Sequence, residues 1–244
     1  MDEPIRVAMW SGPRNISTAM MYSFDNRPDC YATDEPLYAS YLLRSGVNHP
    51  GAEEVIRGND ADFEEVTSML NGTVPEGKEI WYQKHMCHHV PRDSDLSWLA
   101  GLSNCFLIRE PKEVILSLSK ITSSIDLWSI GLPQQRRIIE HVTNNTGKIP
   151  PIIDSKDVLM EPEGMLRSLC QELGVEFMEE MTSWEPGPRS CDGNWAKYWY
   201  ESVWQSSGFS KYSTSQEEID YSLESVLEDA REIYLSLWGM RLGA

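Results

Sequence analysis

The 244-residue sequence is poor in several features, and each absence narrows what it can be. It has five cysteines, at positions 30, 87, 105, 170 and 191. Their number is odd and no spacing repeats, so neither a disulfide framework nor a CxxC site is indicated, and the pattern implies a reduced, cytoplasmic chain. No apolar run approaches a bilayer-spanning length, and the one near the acidic N-terminus is too short for a signal peptide. Basic residues are scarce: 21 Lys and Arg stand against 38 Asp and Glu, a net charge of −17. Nucleic acids and anionic membranes both need positive potential, so neither is expected as a partner. With the aromatic-rich stretches, the acidity hints at a neutral or cationic small molecule, and a solvated acidic surface explains the charge equally well. Repeats and low-complexity tracts are missing as well. The length suits one large α/β domain over residues 1–244 with a substantial core.

What the sequence does contain is concentrated at its start. Residues 5–10, IRVAMW, read as a buried strand running into SGPRNIST, residues 11–18, and then an apolar helix. Gly12 and Pro13 make a tight turn and Arg14 adds a fixed positive charge. Ser17 and Thr18 open the helix with backbone N–H groups that have no intrahelical partner. Phosphate or sulfate satisfies such a loop best, because its oxygens accept from N–H groups, hydroxyls and guanidinium together. The nucleoside-triphosphate loop, G-x-x-x-x-G-K followed by Ser or Thr, fits only at its trailing hydroxyl pair. A plain structural turn is the other reading of this segment alone.

A second segment decides between them. In NCFLIREPKEVILSLSK, residues 104–120, an apolar strand ends at Arg109, and Pro111 suits the first turn of a helix whose apolar face is Val114, Ile115 and Leu118. Ser117 lies roughly two turns in, where it and Arg109 can reach one phosphate. Ligands of open α/β sheets collect at the carboxyl ends of the strands, where both segments would lie. Two anion sites on one sheet edge suggest a ligand phosphorylated at two places.

These residues resemble the sulfotransferase family that uses 3′-phosphoadenosine 5′-phosphosulfate. PRNIST (Pro13, Arg14, Asn15, Ile16, Ser17, Thr18) is similar to that family's 5′-phosphosulfate loop, typically Pro, Lys or Arg, then Ser-Gly-Thr-Thr. REPKEVILS, residues 109–117, is similar to its 3′-phosphate site, with the Arg-to-Ser spacing intact. Residues 152–177 continue the likeness with a strand, an acidic turn, Pro and an amphipathic helix ending in Leu-Gly. The loop departs from the pattern at Ile16, where the family usually has Gly; a β-branched residue resists φ > 0, so the loop must be reshaped. Asn15 replaces the usual Ser, and Arg14 keeps the charge of Lys with a different fork. The resemblance implies no metal.

Two residues are candidates for the catalytic base. Glu35 follows a predicted strand over 30–33 and precedes Pro36, which holds it in extended chain at a strand end. It lies twenty-one residues after Arg14, similar to the spacing of the proposed Glu in the tyrosylprotein branch of the family. The alternative is an acidic helix N-cap, for which Asp34 is better suited. The second candidate is His85, after a strand over 80–84; cytosolic members carry Lys, Ser or Thr, then His there, but here the His is one position early. Should the strand continue, alternation would turn His85 to the other face. Lys84 is expected to stabilise the leaving group. His85, Cys87, His88 and His89 lack the spacing of a zinc site.

Strands alternating with helices along the chain predict a three-layer α/β fold, a central parallel sheet with a P-loop-like strand-loop-helix. Further helices are expected over 17–26, 37–45, 61–70, 111–120, 133–144, 164–173 and 217–237. Residues 123–133 and 184–212 are expected as loops or a lid over the site. In the second, Trp195 and Trp199 at helical spacing read as core more readily than as a cation cage, and Lys211 is placed by the resemblance against the cofactor. The leading reading is a sulfotransferase acting on a hydroxyl or amine of a small acceptor, with Arg14, Lys84 and the loop amides stabilising charge. The alternatives are a P-loop kinase-like phosphotransferase and a non-catalytic nucleotide-binding protein on a degenerate sulfotransferase fold.

Overall fold

The computed structural model describes residues 3–243. Its elements in chain order are β1 (Ile5–Ser11), α1 (Ser17–Asp25), β2 (Cys30–Asp34), α2 (Tyr38–Ser45), α3 (Ala52–Gly58), α4 (Phe63–Leu70), β3 (Ile80–Met86) and β4 (Ser103–Ile108). They continue with α5 (Pro111–Leu118), α6 (Leu132–Thr146), β5 (Ile152–Asp154), α7 (Ser155–Met160), α8 (Pro162–Leu173), α9 (Ala196–Trp199), α10 (Glu201–Trp204) and α11 (Glu224–Trp238). The strands form one five-stranded sheet in the order β2-β3-β1-β4-β5. Every pairing is parallel.

Parallel strands are covered on both faces, and this sheet shows why its strands read as continuous apolar runs. Ala8, Trp10, Trp81, Phe106 and Ile108 point into one core, filled by α4, α5, α6 and α11. Their neighbours Val7, Met9, Tyr82, Cys105 and Leu107 point into the other, against α1, α2, α3 and α8. Helix starts follow local chemistry: Asp62 accepts from the Glu64 and Glu65 amides, so α4 begins at 63, and Pro111 opens α5 behind a capping Glu110. α11 begins at 224, later than the apolar stripe from Ile219 predicts. Asp220 accepts from the Ser222 amide and hydroxyl and folds 221–223 into a tighter turn first.

The register sets the carboxyl ends of the strands along one edge. Ser11 pairs with Met86 and Leu107, and Asp34 pairs with Lys84. β1 lies between β3 and β4, so the chain leaves it toward β2 on one side and later crosses it from β3 to β4. That reversal opens a crevice at the end of β1.

Backbone closes directly on this point. A Cβ on Gly12 would stand 2.4 Å from the Ile130 carbonyl oxygen, and one on Gly131, which has φ +82°, would stand 3.0 Å from the Gly12 Cα. The turn before α6 therefore rests on the first loop with no room for a methyl group. We expect Gly12→Ala to lower the denaturant midpoint, at a cost of roughly 1–3 kcal/mol for overpacking against backbone. An unchanged midpoint would show that the 130–131 turn yields freely.

Candidate functional site

A cavity of about 1230 Å³ opens at the crevice, and residues 13–19 form part of its wall. Within the loop, the left-handed residue is Arg14, at φ +55°, whereas Ile16 has an ordinary φ of −86°. The loop is reshaped as the β-branched side chain requires, with the positive φ two residues earlier. Asn15 contributes at both ends of its amide: Oδ1 accepts from the Ile16 amide at 3.0 Å and Nδ2 donates to the Leu107 carbonyl at 3.1 Å, tying the loop to β4. Gly12 lies behind the loop and is not among the residues lining this cavity.

The two predicted anion-binding segments meet. Arg14 Nε donates to Ser117 Oγ at 2.9 Å, and Arg109 Nη1 donates to the Arg14 carbonyl at 2.6 Å. Arg109 also pairs with Glu113 at 2.9 Å. Burial and the neighbouring Arg109 both lower the pKa of Arg14. Two guanidiniums this close, with one carboxylate paired to Arg109, leave positive charge that an anion would neutralise.

Beside them stands a buried charge network. Lys84, 1% exposed, donates from Nζ to Asp34 Oδ1 at 2.8 Å, to Glu35 Oε1 at 2.5 Å and to the Tyr200 hydroxyl at 2.6 Å. These partners use all three ammonium protons. Tyr200 in turn donates to Asp34 at 2.8–2.9 Å, and the Gly193 amide reaches Asp34 Oδ2 at 3.1 Å. Asp34 is thus a partner of Lys84 and not a helix cap; α2 has no side-chain cap. Glu35 is not in the extended chain that Pro36 predicts: it sits at φ +35°, its amide donating to the Lys84 carbonyl and its carbonyl accepting from the Tyr38 amide, both at 2.9 Å, a form of strain that recurs at functional sites. Its Oε2 accepts no hydrogen bond among the described residues, and the nearest cation candidate, His89 Nε2, is 3.9 Å away. Burial raises the Glu35 carboxyl above its ordinary range and Asp34 adds to this, against the pull of Lys84. For Lys84, burial alone would lower the ammonium, but Asp34 and Glu35 outweigh it and hold the proton.

His85 is elsewhere. β3 continues to Met86, two residues beyond the predicted end, so alternation sends Lys84 to the cavity side and His85 into the opposite core. There it stacks on Trp10, ring centroids 4.3 Å apart, with Nε2 3.2 Å from Gln83 Oε1. Its predicted catalytic position is corrected by the length of the strand. Lys211 is also outside the cavity wall: it is exposed, while its neighbour Tyr212 donates to Glu113 Oε1 at 2.8 Å and so touches the partner of Arg109. Trp195 and Trp199 divide: Trp195 is buried edge-on against Tyr38, and Trp199 lines the cavity against His49. Residues 124, 126, 128 and 129 of the predicted 123–133 loop line it too.

The sequence reading did not find Tyr200, nor the aromatic wall in which Tyr38 and Tyr41 stack on His89 at 5.0 and 4.7 Å. The adjacent His88 and His89 are aromatic packing groups here, His89 stacked on both tyrosines and His88 edge-on to Tyr41 and His89. Among the described residues no group of three or more His, Cys, Asp or Glu side chains converges as metal ligands would. The i, i+3 spacing of Tyr38 and Tyr41 was the one available signal, and it is shared with ordinary core helices.

Residues 5–237 match the family described as Sulfotransferase domain, and the chain belongs to that family. It is 34% identical over 232 residues to branched-chain-amino-acid aminotransferase-like protein 2 of Arabidopsis thaliana, covering 92% of this chain and 40% of the relative. Its identity to the like protein 1 of the same plant is 32% over 235 residues, covering 96% and 42%. The chain therefore spans about two-fifths of the length of these curated relatives. Among solved structures, it is similar to the sulfotransferase domain from the curacin biosynthetic pathway, with TM-score 0.54, 14% identity and coverage of 97% and 99%. A sulfotransferase from Alicyclobacillus acidocaldarius gives TM-score 0.54 at 11% identity, covering 98% and 96%. At these identities the two structures show a shared fold. Among the described residues, no helix is long and apolar enough to cross a membrane.

The buried histidines make stability depend on pH. Burial lowers His85 and His88 from 6.5 to about 3, with His49 adding to the effect on His88. Between those values the unfolded chain takes up protons that the folded chain refuses, so their contribution to stability is lost as pH falls from about 6.5 toward 3. Glu35, Asp25 and Asp154 are raised by burial and act in the opposite sense, so the clean measurement is a difference. His85→Phe, which keeps a ring against Trp10, should reduce the stability lost between pH 7 and 5 by up to about 2 kcal/mol. Identical pH profiles from denaturant melts would refute the assignment.

Proposed function

We propose that this chain moves a sulfuryl group from 3′-phosphoadenosine 5′-phosphosulfate to a hydroxyl or amine of a small-molecule acceptor. The observation that carries this reading is the meeting, around one cavity, of the Arg14 loop, the Arg109 and Ser117 pair, and Glu35 with Lys84. The donor set suits the nucleotide: guanidiniums and hydroxyls come from two segments, and the first-turn amides of α1 have no acceptor within the helix. Residues 13–18 would hold the 5′-phosphosulfate, and Arg109 with Ser117 the 3′-phosphate. The cavity volume of about 1230 Å³ admits a nucleotide and an acceptor together.

The nucleotide supplies an activated sulfuryl group; the chain supplies alignment, a base and positive charge. Glu35 takes the acceptor proton on Oε2 as the new bond to sulfur forms, and its raised pKa makes it a stronger base than an ordinary carboxylate. The electron pair of the breaking S–O bond goes to the bridging phosphate oxygen, where Arg14 and the helix-start amides offset the charge. Lys84, with its protons engaged by Asp34, Glu35 and Tyr200, holds Glu35 in place. No step calls for a metal ion.

Micromolar adenosine 3′,5′-bisphosphate should raise the melting temperature by mass action. A shift with MgATP and none with the bisphosphate would favour a kinase-like phosphotransferase, and binding without turnover a non-catalytic role. In calorimetry, Arg109→Ala should weaken the bisphosphate by about 1.5–3 kcal/mol, the scale of a hydrogen bond to a charged group, and by more than Ser117→Ala. Unchanged affinity would place the 3′-phosphate elsewhere.

Glu35→Gln should reduce turnover roughly 10²- to 10⁴-fold with little change in bisphosphate affinity, while His85→Asn keeps a larger share. Rate should fall on the acid side at a pH above the ordinary carboxylate range, because Glu35 must lose its proton to act. Normal turnover by the Glu35→Gln protein would remove it as the base.

A further inference from the structure

The cavity reverses the charge of the chain. Five cations, Arg14, Arg44, Lys84, Arg92 and Arg109, line it against two carboxylates, Glu35 and Asp126, in a protein of net charge −17. Three of the five have work assigned above. Arg44 and Arg92 do not, and among the described residues neither forms an ion pair.

Both are held in place. Arg44, at the end of α2, donates from Nη2 to the His89 carbonyl at 3.0 Å, and the ring of the same His89 stands 3.9 Å from the free Glu35 oxygen. The guanidinium of Arg92 lies over the Trp128 ring, 3.7 Å from its centroid. The nearby carboxylate, Asp126, is engaged by the Ser129 amide at 2.7 Å. A guanidinium carries five N–H donors in a rigid fork. After the contacts above, both arginines retain donors that carbonyl and ring leave unused. His89, which meets both Arg44 and Glu35, forms with Tyr38 and Tyr41 an aromatic wall of the same cavity, which suits a flat or apolar body.

Building on the sulfotransferase reading above, we propose that the acceptor is an organic oxyanion: a hydroxylated molecule whose carboxylate or phosphate is bound by Arg44 and Arg92 while its hydroxyl reaches Glu35. This replaces the neutral or cationic acceptor that the net charge of the sequence suggests. The acidic surface is set by residues in water, where screening confines their field to about 10 Å at moderate salt, and the cavity presents its own charge at contact distance.

Three phenols of similar size separate the classes: 3-(4-hydroxyphenyl)propionate, 4-ethylphenol and tyramine, with 2-(4-hydroxyphenyl)ethyl phosphate as the arm that tells phosphate from carboxylate. Binding is measured by calorimetry on the full chain saturated with adenosine 3′,5′-bisphosphate. At least one anionic probe should bind about tenfold or more tightly than 4-ethylphenol, and tyramine least well. Arg44→Gln with Arg92→Gln should abolish that preference, leaving bisphosphate affinity and the melting temperature unchanged. Equal binding of the probes, absence of binding by both anions, or a preference that survives the double substitution would overturn the proposal. If the bisphosphate itself does not bind, the sulfotransferase reading fails by itself. The same comparison on the free chain, with and without the two substitutions, then still decides whether Arg44 and Arg92 select an oxyanion.

Discussion

The site depends on a single buried ammonium. Removing Lys84 from water is costly, and the cost is offset only because Asp34, Glu35 and Tyr200 each take one of its protons at 2.5–2.8 Å. Each partner is thereby fixed. Asp34 ends β2 beside Lys84 in register, Glu35 is drawn into a strained backbone conformation at the next residue, and Tyr200 fastens the C-terminal aromatic segment across the sheet edge. Pairing one Glu35 oxygen with Lys84 leaves the other without a donor among the described residues, the asymmetry on which the proposed role of Glu35 as base rests.

A second constraint is steric. The approach of Gly131 to Gly12 holds the 126–131 turn against the first loop, and Asn15 ties the same loop to β4. Between these restraints the loop takes its left-handed residue at Arg14, whose side chain crosses to Ser117. The two segments proposed to hold the 5′ and 3′ groups are therefore parts of one hydrogen-bonded unit, with Arg109 bonded to the backbone of the residue that contacts Ser117.

Charge is partitioned along the same lines. The acidic residues that give the chain its net charge of −17 lie largely outside the cavity, whose wall is rich in guanidinium. Such a division would let short-range donors in the cavity act on an anion despite the acidic surface.

The alternation of strands and helices, the strand-loop-helix form of the two segments proposed to bind anions, and the place of Glu35 just after β2 were legible in the sequence. They rest on short-range physics, periodic burial and helix-start chemistry, whereas the extended backbone that Pro36 predicts for Glu35 did not hold: bonded to Lys84, that residue lies at φ +35°. Residues 109–117 kept their predicted strand end, turn and helix because each is specified within a few positions of itself. Tertiary structure decided the rest. Two extra residues of β3, added by pairing with β1 as far as Met86, turned His85 into the far core and left Lys84 at the cavity. Tyr200 reaches Asp34 across 166 positions, a contact that no local pattern encodes. The guanidinium-rich cavity arises where α2, the 89–92 segment and the 126–131 turn converge, so its charge belongs to an arrangement of surfaces and is invisible in the composition of the chain.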